Sequence, residues 1–250
     1  LSRAIEAVIT GISVSTFTPN RTGEYLGRVF VLQHASRIEG ALITVVGSMS
    51  QLLVTLTTGT LALLIFLPGF LPGVNFSHGY LYYSVVALVI ILNLLLLVLY
   101  LNIPLIPAAG ERVHHRFMRR IQRFLKVLGL FSSKELLVTW LLSFIRWLIF
   151  TLQFFLILRG LGLTVTYPDA MVLIALIYLV MTLFPTIALT ELGMRGSVAI
   201  WFFALLPETN TAASSAMVFA ASVLLWMINL AFPAIAGAFF IFRLRFLRNP

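Results

Sequence analysis

Four stretches of the sequence stay apolar over a length that can cross a lipid bilayer. A membrane-spanning helix needs about 20 consecutive apolar residues. Residues 40–66, 79–101, 136–158 and 212–242 each reach that length. The pattern therefore predicts an all-α integral membrane protein, a polytopic helical bundle.

Two further apolar segments, 4–33 and 170–206, are broken near their middles. The first contains Pro19, Asn20, Arg21, Gly23, Glu24 and Arg28, and the second contains Pro185, Thr190, Glu191, Gly193, Arg195 and Gly196. Pro interrupts the helical hydrogen-bond ladder and Gly weakens a helix. We therefore expect helix breaks at Pro19, Gly23, Pro185 and Gly193.

The composition excludes a soluble globular domain. Of the 250 residues, 60% are hydrophobic and 10% are charged, whereas a soluble domain is about 25% charged. The chain has no Cys, which excludes disulfides, thiolate nucleophiles and Cys-ligated metal sites. The net charge of +9 is compatible with nucleic acid as a partner, but membrane proteins also accumulate Lys and Arg in cytoplasmic loops.

The positions of the basic residues favour the membrane explanation. Lys and Arg concentrate in residues 102–134 and in the tail 243–250, whereas residues 68–78 and 207–211 have neither. Basic loops remain on the cytoplasmic side of a membrane, so we predict that the central loop and the C-terminus are cytoplasmic. Arg159 is the one exception. We predict no nucleic-acid partner.

This topology fixes the orientation of the broken segments. If the central loop and the tail share the cytoplasmic side, segment 4–33 begins and ends in the cytoplasm, and segment 170–206 begins and ends outside. Each segment is then either a re-entrant hairpin or a pair of full crossings. The two segments open to opposite faces of the membrane.

The central basic loop has helical periodicity. Its arginines follow i, i+4, i+7, i+8 and i+11 spacing, and apolar residues fall on another face. This pattern predicts an amphipathic helix on the anionic leaflet, with Arg112, Arg116, Arg119, Arg120 and Arg123 at the lipid surface. The alternative is an ordinary cytoplasmic loop without specific lipid contacts.

The two breaks share an order of residues. In each, a Pro is followed five or six residues later by a Glu, and an Arg follows four residues after the Glu. Two similar discontinuous segments of opposite orientation are typical of an inverted-repeat transporter, whose binding site lies where the broken segments meet. We therefore predict two broken or re-entrant helical hairpins in an inverted repeat.

A single transmembrane domain covering residues 1–250 follows from this arrangement. Repeat one covers about 1–101, the basic cytoplasmic loop about 102–133, repeat two about 134–242, and the cytoplasmic tail 243–250. The inverted repeat also needs a helix before the first break to match 136–158. We therefore expect a missing helix or helices upstream of Leu1.

The charges within the apolar segments form the predicted substrate site. The N-terminus of a half-helix attracts anions, and a Glu and an Arg four residues apart can neutralise each other where the dielectric constant is low. The predicted substrate-binding residues are Arg21, Glu24, Arg28, Arg146, Glu191 and Arg195. The alternative is that both Glu–Arg pairs are satisfied pairs at helix ends.

Arg146 lies in the middle of an apolar span, where a charged side chain should face a partner or a water-filled cavity. Thr139, Ser143, Arg146 and Gln153 share one helical face. We predict that this face is directed inward, and that Glu191 or a ligand phosphate is the partner of Arg146. Structural pairing with a carboxylate is the alternative.

Single polar residues in the other spans have a simpler explanation. Gln51, Asn93 and Asn229 are expected to form hydrogen bonds between helices.

His114 and His115 are adjacent and diverge on a helix, so we predict no metal site and no cofactor. The sequence has no P-loop and no hydrolase motif, and only Glu24 and Glu191 could act as an acid or base.

Residues 17–32, which begin Phe-Thr-Pro-Asn-Arg-Thr-Gly-Glu, resemble the P-x-R-x-G-E signature of the transmembrane region of lysylphosphatidylglycerol synthase/flippase proteins. Residues 190–196 look like the second, glycine-rich signature of that family, with the Glu before the Gly instead of after the Arg. In the family, this membrane region is implicated in moving aminoacylated phospholipid between leaflets, and a separate soluble domain transfers the aminoacyl group.

The resemblance implies a flippase-like protein of the bacterial cytoplasmic membrane, without synthase activity. Its expected partners are anionic membrane phospholipids, and the sequence leaves open whether it forms a homo-oligomer. Two other functions fit the same residues: a secondary transporter of a small anionic solute, and a non-transporting membrane component of envelope glycolipid assembly. A membrane enzyme fits least well.

Overall fold

A computed structural model describes residues 8, 9, 11–13, 15, 18, 37–70, 79–105, 129, 131–184 and 188–241. Every regular element in those residues is helical. The α-helices are α1 (Arg37–Phe70), α2 (Tyr80–Leu101), α3 (Ser133–Gly160), α4 (Tyr167–Leu183), α5 (Ala188–Phe203), α6 (Ala212–Trp226) and α7 (Phe232–Ile241). Short 3-10 turns occupy Ile103–Leu105 and Pro207–Thr209, and a π-helical turn, Met227–Ala231, joins α6 to α7.

Four helical spans in the described part of the chain are long and apolar enough to cross a membrane. They are Ile43–Phe66, Tyr82–Leu101, Ser133–Gly160 and Ala212–Ala238. Each overlaps one of the four predicted spans, and the prediction of an all-α, multi-pass membrane protein is confirmed. The helix α4 is also apolar but shorter.

Side-chain caps define where several helices begin. At the start of α3, Ser132 and Glu135 form a reciprocal capping box: the Ser132 N–H donates to the Glu135 carboxylate at 2.8 Å, and the Glu135 N–H donates to the Ser132 hydroxyl at 3.2 Å. Thr166 and Thr211 cap α4 and α6. These caps satisfy N–H groups that have no partner within the first helical turn.

The chain divides into two compact units. One consists of Leu1–Thr44 together with Thr151–Pro250, and the other is Val45–Phe150. The bounds lie inside α1 and α3 and differ from those of the predicted repeats. The inverted repeat stays a prediction.

The unit Val45–Phe150 has an apolar core with polar links between its helices. Its buried cluster comprises Val46, Leu53, Tyr100, Ile103 and Leu136. Asn93 of α2 donates a hydrogen bond of 3.0 Å to the Thr60 hydroxyl of α1, and Ser50 of α1 donates one of 3.0 Å to Ser143 of α3. The predicted interhelical hydrogen bond of Asn93 is confirmed.

In the other unit, α5 packs against α4 and α6. The contact with α6 is close at Gly196, where a Cβ atom would lie 2.6 Å from the ring of Phe219. At α7, a Cβ atom on Gly237 would overlap the Ser13 hydroxyl and the Ile9 carbonyl, and Ser13 donates a hydrogen bond of 2.6 Å to the Ala234 carbonyl. Glycine is required sterically at Gly237, where the overlap includes backbone, and a larger residue at Gly196 would need the Phe219 ring to move.

The π-helical turn changes which residues of its span are buried. In α6, Val218, Ala221, Ser222 and Leu225 are buried, with ordinary α-helical spacing. The next buried residue is Leu230, five positions after Leu225, and Gly237 follows seven positions later. Phe232, which a regular helix would place on the buried face, is exposed.

Asn229 lies inside this π-helical turn and connects it to α3. Its side-chain amide donates a hydrogen bond of 3.0 Å to Gln153 and another of 3.0 Å to the Leu225 carbonyl. The predicted interhelical role of Asn229 is confirmed. Gln153, from the predicted polar face of α3, is its acceptor.

Candidate functional site

Glu191 and Arg195 form an ion pair on one face of α5. The four-residue spacing places the two side chains one helical turn apart, and the Arg195 guanidinium donates a hydrogen bond to the Glu191 carboxylate. The Glu191 residue is 7% exposed, and the Arg195 side chain is 16% exposed. The predicted pairing of these two residues is therefore observed, inside an apolar unit and not on its surface.

An aromatic side chain from α4 completes the surroundings of the pair. The Arg195 guanidinium carbon lies 5.8 Å from the centre of the Tyr178 ring, within the range of a cation–π interaction. The Arg195 Nε atom is buried and has no hydrogen-bond partner in the part of the chain that the structure describes. Arg195 therefore keeps a donor that its contacts with Glu191 and Tyr178 do not use.

This arrangement suits recognition of an oxyanion. A guanidinium presents five N–H donors in a planar fork that matches phosphate and carboxylate oxygens. Glu191 neutralises the Arg195 charge and so lowers the cost of keeping it in an apolar environment. A phosphate that displaced the Glu191 carboxylate from Arg195 would leave the carboxylate able to accept a hydrogen bond from an ammonium group.

The interruption predicted in the second broken segment lies just before this pair. The helix α4 ends at Leu183 and α5 begins at Ala188. Pro185, the predicted break, lies outside the described residues. Gly193 lies within α5, where the helix is continuous, so the interruption precedes Gly193. A single Gly costs a helix only about 1 kcal/mol, which tertiary contacts can offset.

The counterpart residues in the first broken segment lie outside the described residues. They are Pro19, Arg21, Gly23, Glu24 and Arg28. The same holds for the predicted lipid-surface arginines Arg112, Arg116, Arg119, Arg120 and Arg123. The roles assigned to both groups stay predictions.

Arg146 is exposed, and its expected inward orientation stays a prediction. Its guanidinium carbon lies 5.0 Å from the centre of the Phe150 ring, one turn further along α3. The other members of the predicted polar face differ from it: Ser143 bonds to Ser50, and Gln153 bonds to Asn229. The face is therefore divided, and a role for Arg146 in phosphate binding stays a prediction.

Two features of the site were not anticipated. Tyr178 was not identified, although a hydroxyl-bearing aromatic in the otherwise aliphatic middle of α4 was a usable signal. Gly196 falls within the charged motif of the second broken segment, but its position is explained by the contact between α5 and Phe219. Among the described residues, no group of three His, Asp or Glu side chains could hold a metal ion.

Comparison with known proteins identifies the family. Residues 1–237 match the family described as the lysylphosphatidylglycerol synthase TM region. No curated protein and no solved structure matches the chain significantly. The family match covers all seven described helices except the last residues of α7 and agrees with the four membrane-spanning helices. The chain therefore belongs to the lysylphosphatidylglycerol synthase transmembrane-region family.

Proposed function

We propose that this membrane protein binds the phosphate group of a membrane phospholipid at Arg195 and Glu191 and moves the lipid between leaflets, without catalysing a covalent reaction. The observation that carries the proposal is the buried Glu191–Arg195 pair on α5. Glu191 lies in the first turn of α5 and Arg195 one turn later, and ionisable residues that a membrane protein buries are costly. Such residues usually serve ion or substrate pathways, which supports a binding role for this pair.

The contacts of Arg195 suggest how a lipid phosphate would enter. Phosphate oxygens would accept hydrogen bonds from the guanidinium, including from its Nε atom, which has no partner among the described residues. The guanidinium would remain against Tyr178. Glu191 would exchange its bond with Arg195 for a bond with a cationic headgroup or would remain beside the phosphate. A pair that can exchange partners lets a charged headgroup bind without leaving either protein charge uncompensated.

The interruption between α4 and α5 supports the same proposal. Non-helical backbone at membrane depth is tolerated where protein buries it or where it lines a water-filled cavity. The predicted counterpart, with Glu24 and Arg28, would contribute the second half of the site, as in transporters with inverted repeats. Arg21 and Arg146 would be additional phosphate contacts. The basic loop would hold the cytoplasmic face against anionic lipid.

The proposal is tested by reconstituting the full chain in liposomes that contain a trace of fluorescent phospholipid. Exchange of the labelled lipid between leaflets is followed by quenching of the outer leaflet. We expect Arg195→Gln to slow exchange by about tenfold or more, because hydrogen bonds to charged groups contribute roughly 1.5–3 kcal/mol each. Lys134→Gln, an exposed charge at the start of α3, is the matched control and should exchange lipid at the parental rate.

A double variant separates a functional pair from a structural one. Glu191→Leu with Arg195→Met replaces the pair by apolar side chains of similar size, and such replacements often preserve stability. If the double variant folds and exchanges lipid as fast as the parent, the proposal is refuted. So would parental exchange by a Glu24→Gln, Arg28→Ala variant, since the proposed site includes both breaks.

The two other functions make different predictions. A secondary transporter of a small anionic solute would bind that solute in detergent without lipid and would not exchange phospholipid. A non-transporting component of envelope glycolipid assembly would tolerate substitutions at Glu24 and Arg28 but would be sensitive to substitutions among the arginines between 112 and 123.

A further inference from the structure

A cavity of about 360 Å³ lies at the C-terminal end of α3, away from the Glu191–Arg195 pair in sequence. It is lined by Phe155, Arg159, Thr164, Val165, Thr166, Tyr167 and Glu208. All of these residues belong to the same compact unit. The cavity is largely open to its surroundings, and its volume falls within the range of about 300–1,000 Å³ that is typical of small-molecule sites.

Local backbone structure fixes the position of the lining residues. The helix α3 ends in a Schellman motif: the Leu163 N–H donates to the Leu158 carbonyl at 3.0 Å, and the Gly162 N–H donates to the Arg159 carbonyl at 3.0 Å. Gly162 adopts a positive φ of 93° at the required position. Thr166 caps α4 two residues after Thr164. The loop between α3 and α4 is therefore held at both ends.

The cavity contains one cation and one anion that do not neutralise each other. Arg159 and Glu208 are both exposed and line the same cavity. They form no ion pair with each other, and neither forms one with any other described residue. Because Arg159 and Glu208 do not pair with each other, each can bind a separate, oppositely charged group of one ligand.

The other lining residues complement such a ligand. Thr164 is exposed and its hydroxyl makes no hydrogen bond to any described residue. The Phe155 and Tyr167 rings pack edge to face with centroids 5.1 Å apart. Aromatic rings attract ammonium groups through their faces. The cavity thus combines an oxyanion partner, a carboxylate, a hydroxyl and an aromatic wall.

The cavity is positioned to meet lipid headgroups. The helix α3 has 28 residues and at 1.5 Å per residue is about 42 Å long, whereas the hydrocarbon layer is about 30 Å thick. Arg159, in the last turn of α3, therefore reaches the headgroup region when α3 spans the membrane. The predicted topology places this end of α3 outside the cytoplasm.

We propose that the cavity formed by Arg159, Glu208, Thr164, Phe155 and Tyr167 binds a zwitterionic headgroup that carries one phosphate and one ammonium. Arg159 and Thr164 bind the phosphate. Glu208 and the aromatic wall bind the ammonium. This site is separate from the Glu191–Arg195 pair and does not depend on translocation of lipid.

The test is equilibrium binding to the full chain in a non-ionic detergent, which has no headgroup that competes for the cavity. The probes are dihexanoyl phosphatidylethanolamine, dihexanoyl phosphatidylglycerol, glycerophosphoethanolamine and inorganic phosphate, each titrated by calorimetry. We expect the ethanolamine lipid to bind about tenfold or more tightly than the glycerol lipid, because only the former has an ammonium for Glu208. We expect Arg159→Gln and Glu208→Gln each to weaken its binding by about tenfold.

Lys134→Gln, at the opposite end of α3, should leave binding unchanged. Glycerophosphoethanolamine identifies the source of the headgroup: binding as tight as that of the lipid supports a soluble phosphoethanolamine ligand, and weaker binding supports a lipid. Equal affinity for both lipids, parental binding by the Arg159 and Glu208 variants, or equally tight binding of inorganic phosphate would each overturn the proposal. Because no leaflet exchange is measured, this result is independent of the outcome for the proposed flippase activity.

Discussion

The side-chain amide of Asn229 donates a hydrogen bond of 3.0 Å to the side-chain oxygen of Gln153. The bond joins the π-helical turn Met227–Ala231 to α3. The position of the π-helical turn against α3 therefore depends on this amide pair together with apolar packing.

Replacing Asn229 or Gln153 by Ala should reveal a modest favourable coupling between them. Polar pairs in membrane helices contribute about 0.6 kcal/mol on average and up to about 1.7 kcal/mol. A double-mutant cycle of unfolding free energies in mixed micelles measures the coupling. Additive effects of the two substitutions would show that the bond contributes nothing to stability.

Gly196→Ala should destabilise the protein by about 1–3 kcal/mol, because the new methyl group would overlap the Phe219 ring and force either the ring or the two helices to shift. Gly193→Ala is the matched control on the same helix, since its Cβ would have nothing within 4 Å. It should stabilise α5 by up to about 1 kcal/mol. Thermal unfolding of the two variants is compared, and equal effects would contradict the predicted steric contact.

Gly162→Ala should lower the unfolding free energy by about 1–2 kcal/mol, because its φ of 93° is unfavourable for a residue with a Cβ atom. Gly162→Asn should lose less, since Asn tolerates a left-handed conformation. Gly160→Ala, two residues earlier and with open space around its Cβ, is the control and should be neutral or stabilising. Denaturant unfolding in micelles measures all three, and an unaffected Gly162→Ala variant would exclude the role assigned to this glycine.

Glu191→Gln should destabilise the protein by about 3–5 kcal/mol, because it removes the carboxylate that neutralises the buried Arg195 charge. The double substitution Glu191→Leu, Arg195→Met should recover most of that loss. Unfolding free energies of the single and double variants give the comparison. If the single variant is as stable as the parent, Arg195 does not depend on Glu191 for its neutralisation.

Much of the fold was predictable because membrane spans are encoded by simple runs of apolar residues. The predicted span 79–101 begins one residue before α2 and ends at the same residue. The length of an apolar run carries no information on which other residues the helix contacts. The hydrogen bonds of Asn93 and Asn229 were predictable as a class, because an amide within hydrocarbon needs a partner. Their acceptors, Thr60 and Gln153, were not.

The candidate site was predictable only where spacing alone determines contact. Glu191 and Arg195 are four residues apart on one helix, and they pair as that spacing requires. Tyr178 lies on another helix, so its contact with Arg195 depends on how α4 and α5 pack. The exposure of Arg146 has the same explanation: periodicity identified the face of α3 that it shares with Ser143 and Gln153, but the packing of neighbouring helices decides which part of that face is covered.

The π-helical turn has a consequence for how the length of this chain can vary. A π-helical turn holds one residue more than an α-helical turn, and the five-residue step from Leu225 to Leu230 reflects that extra residue. Deletion of Ile228 would leave a regular α-helix with Gly237 still directed at Ser13. A deletion within α6 would instead rotate one side of the helix against the other by about 100°. The last membrane span can thus lose a residue at this one turn while its contacts on both sides are preserved.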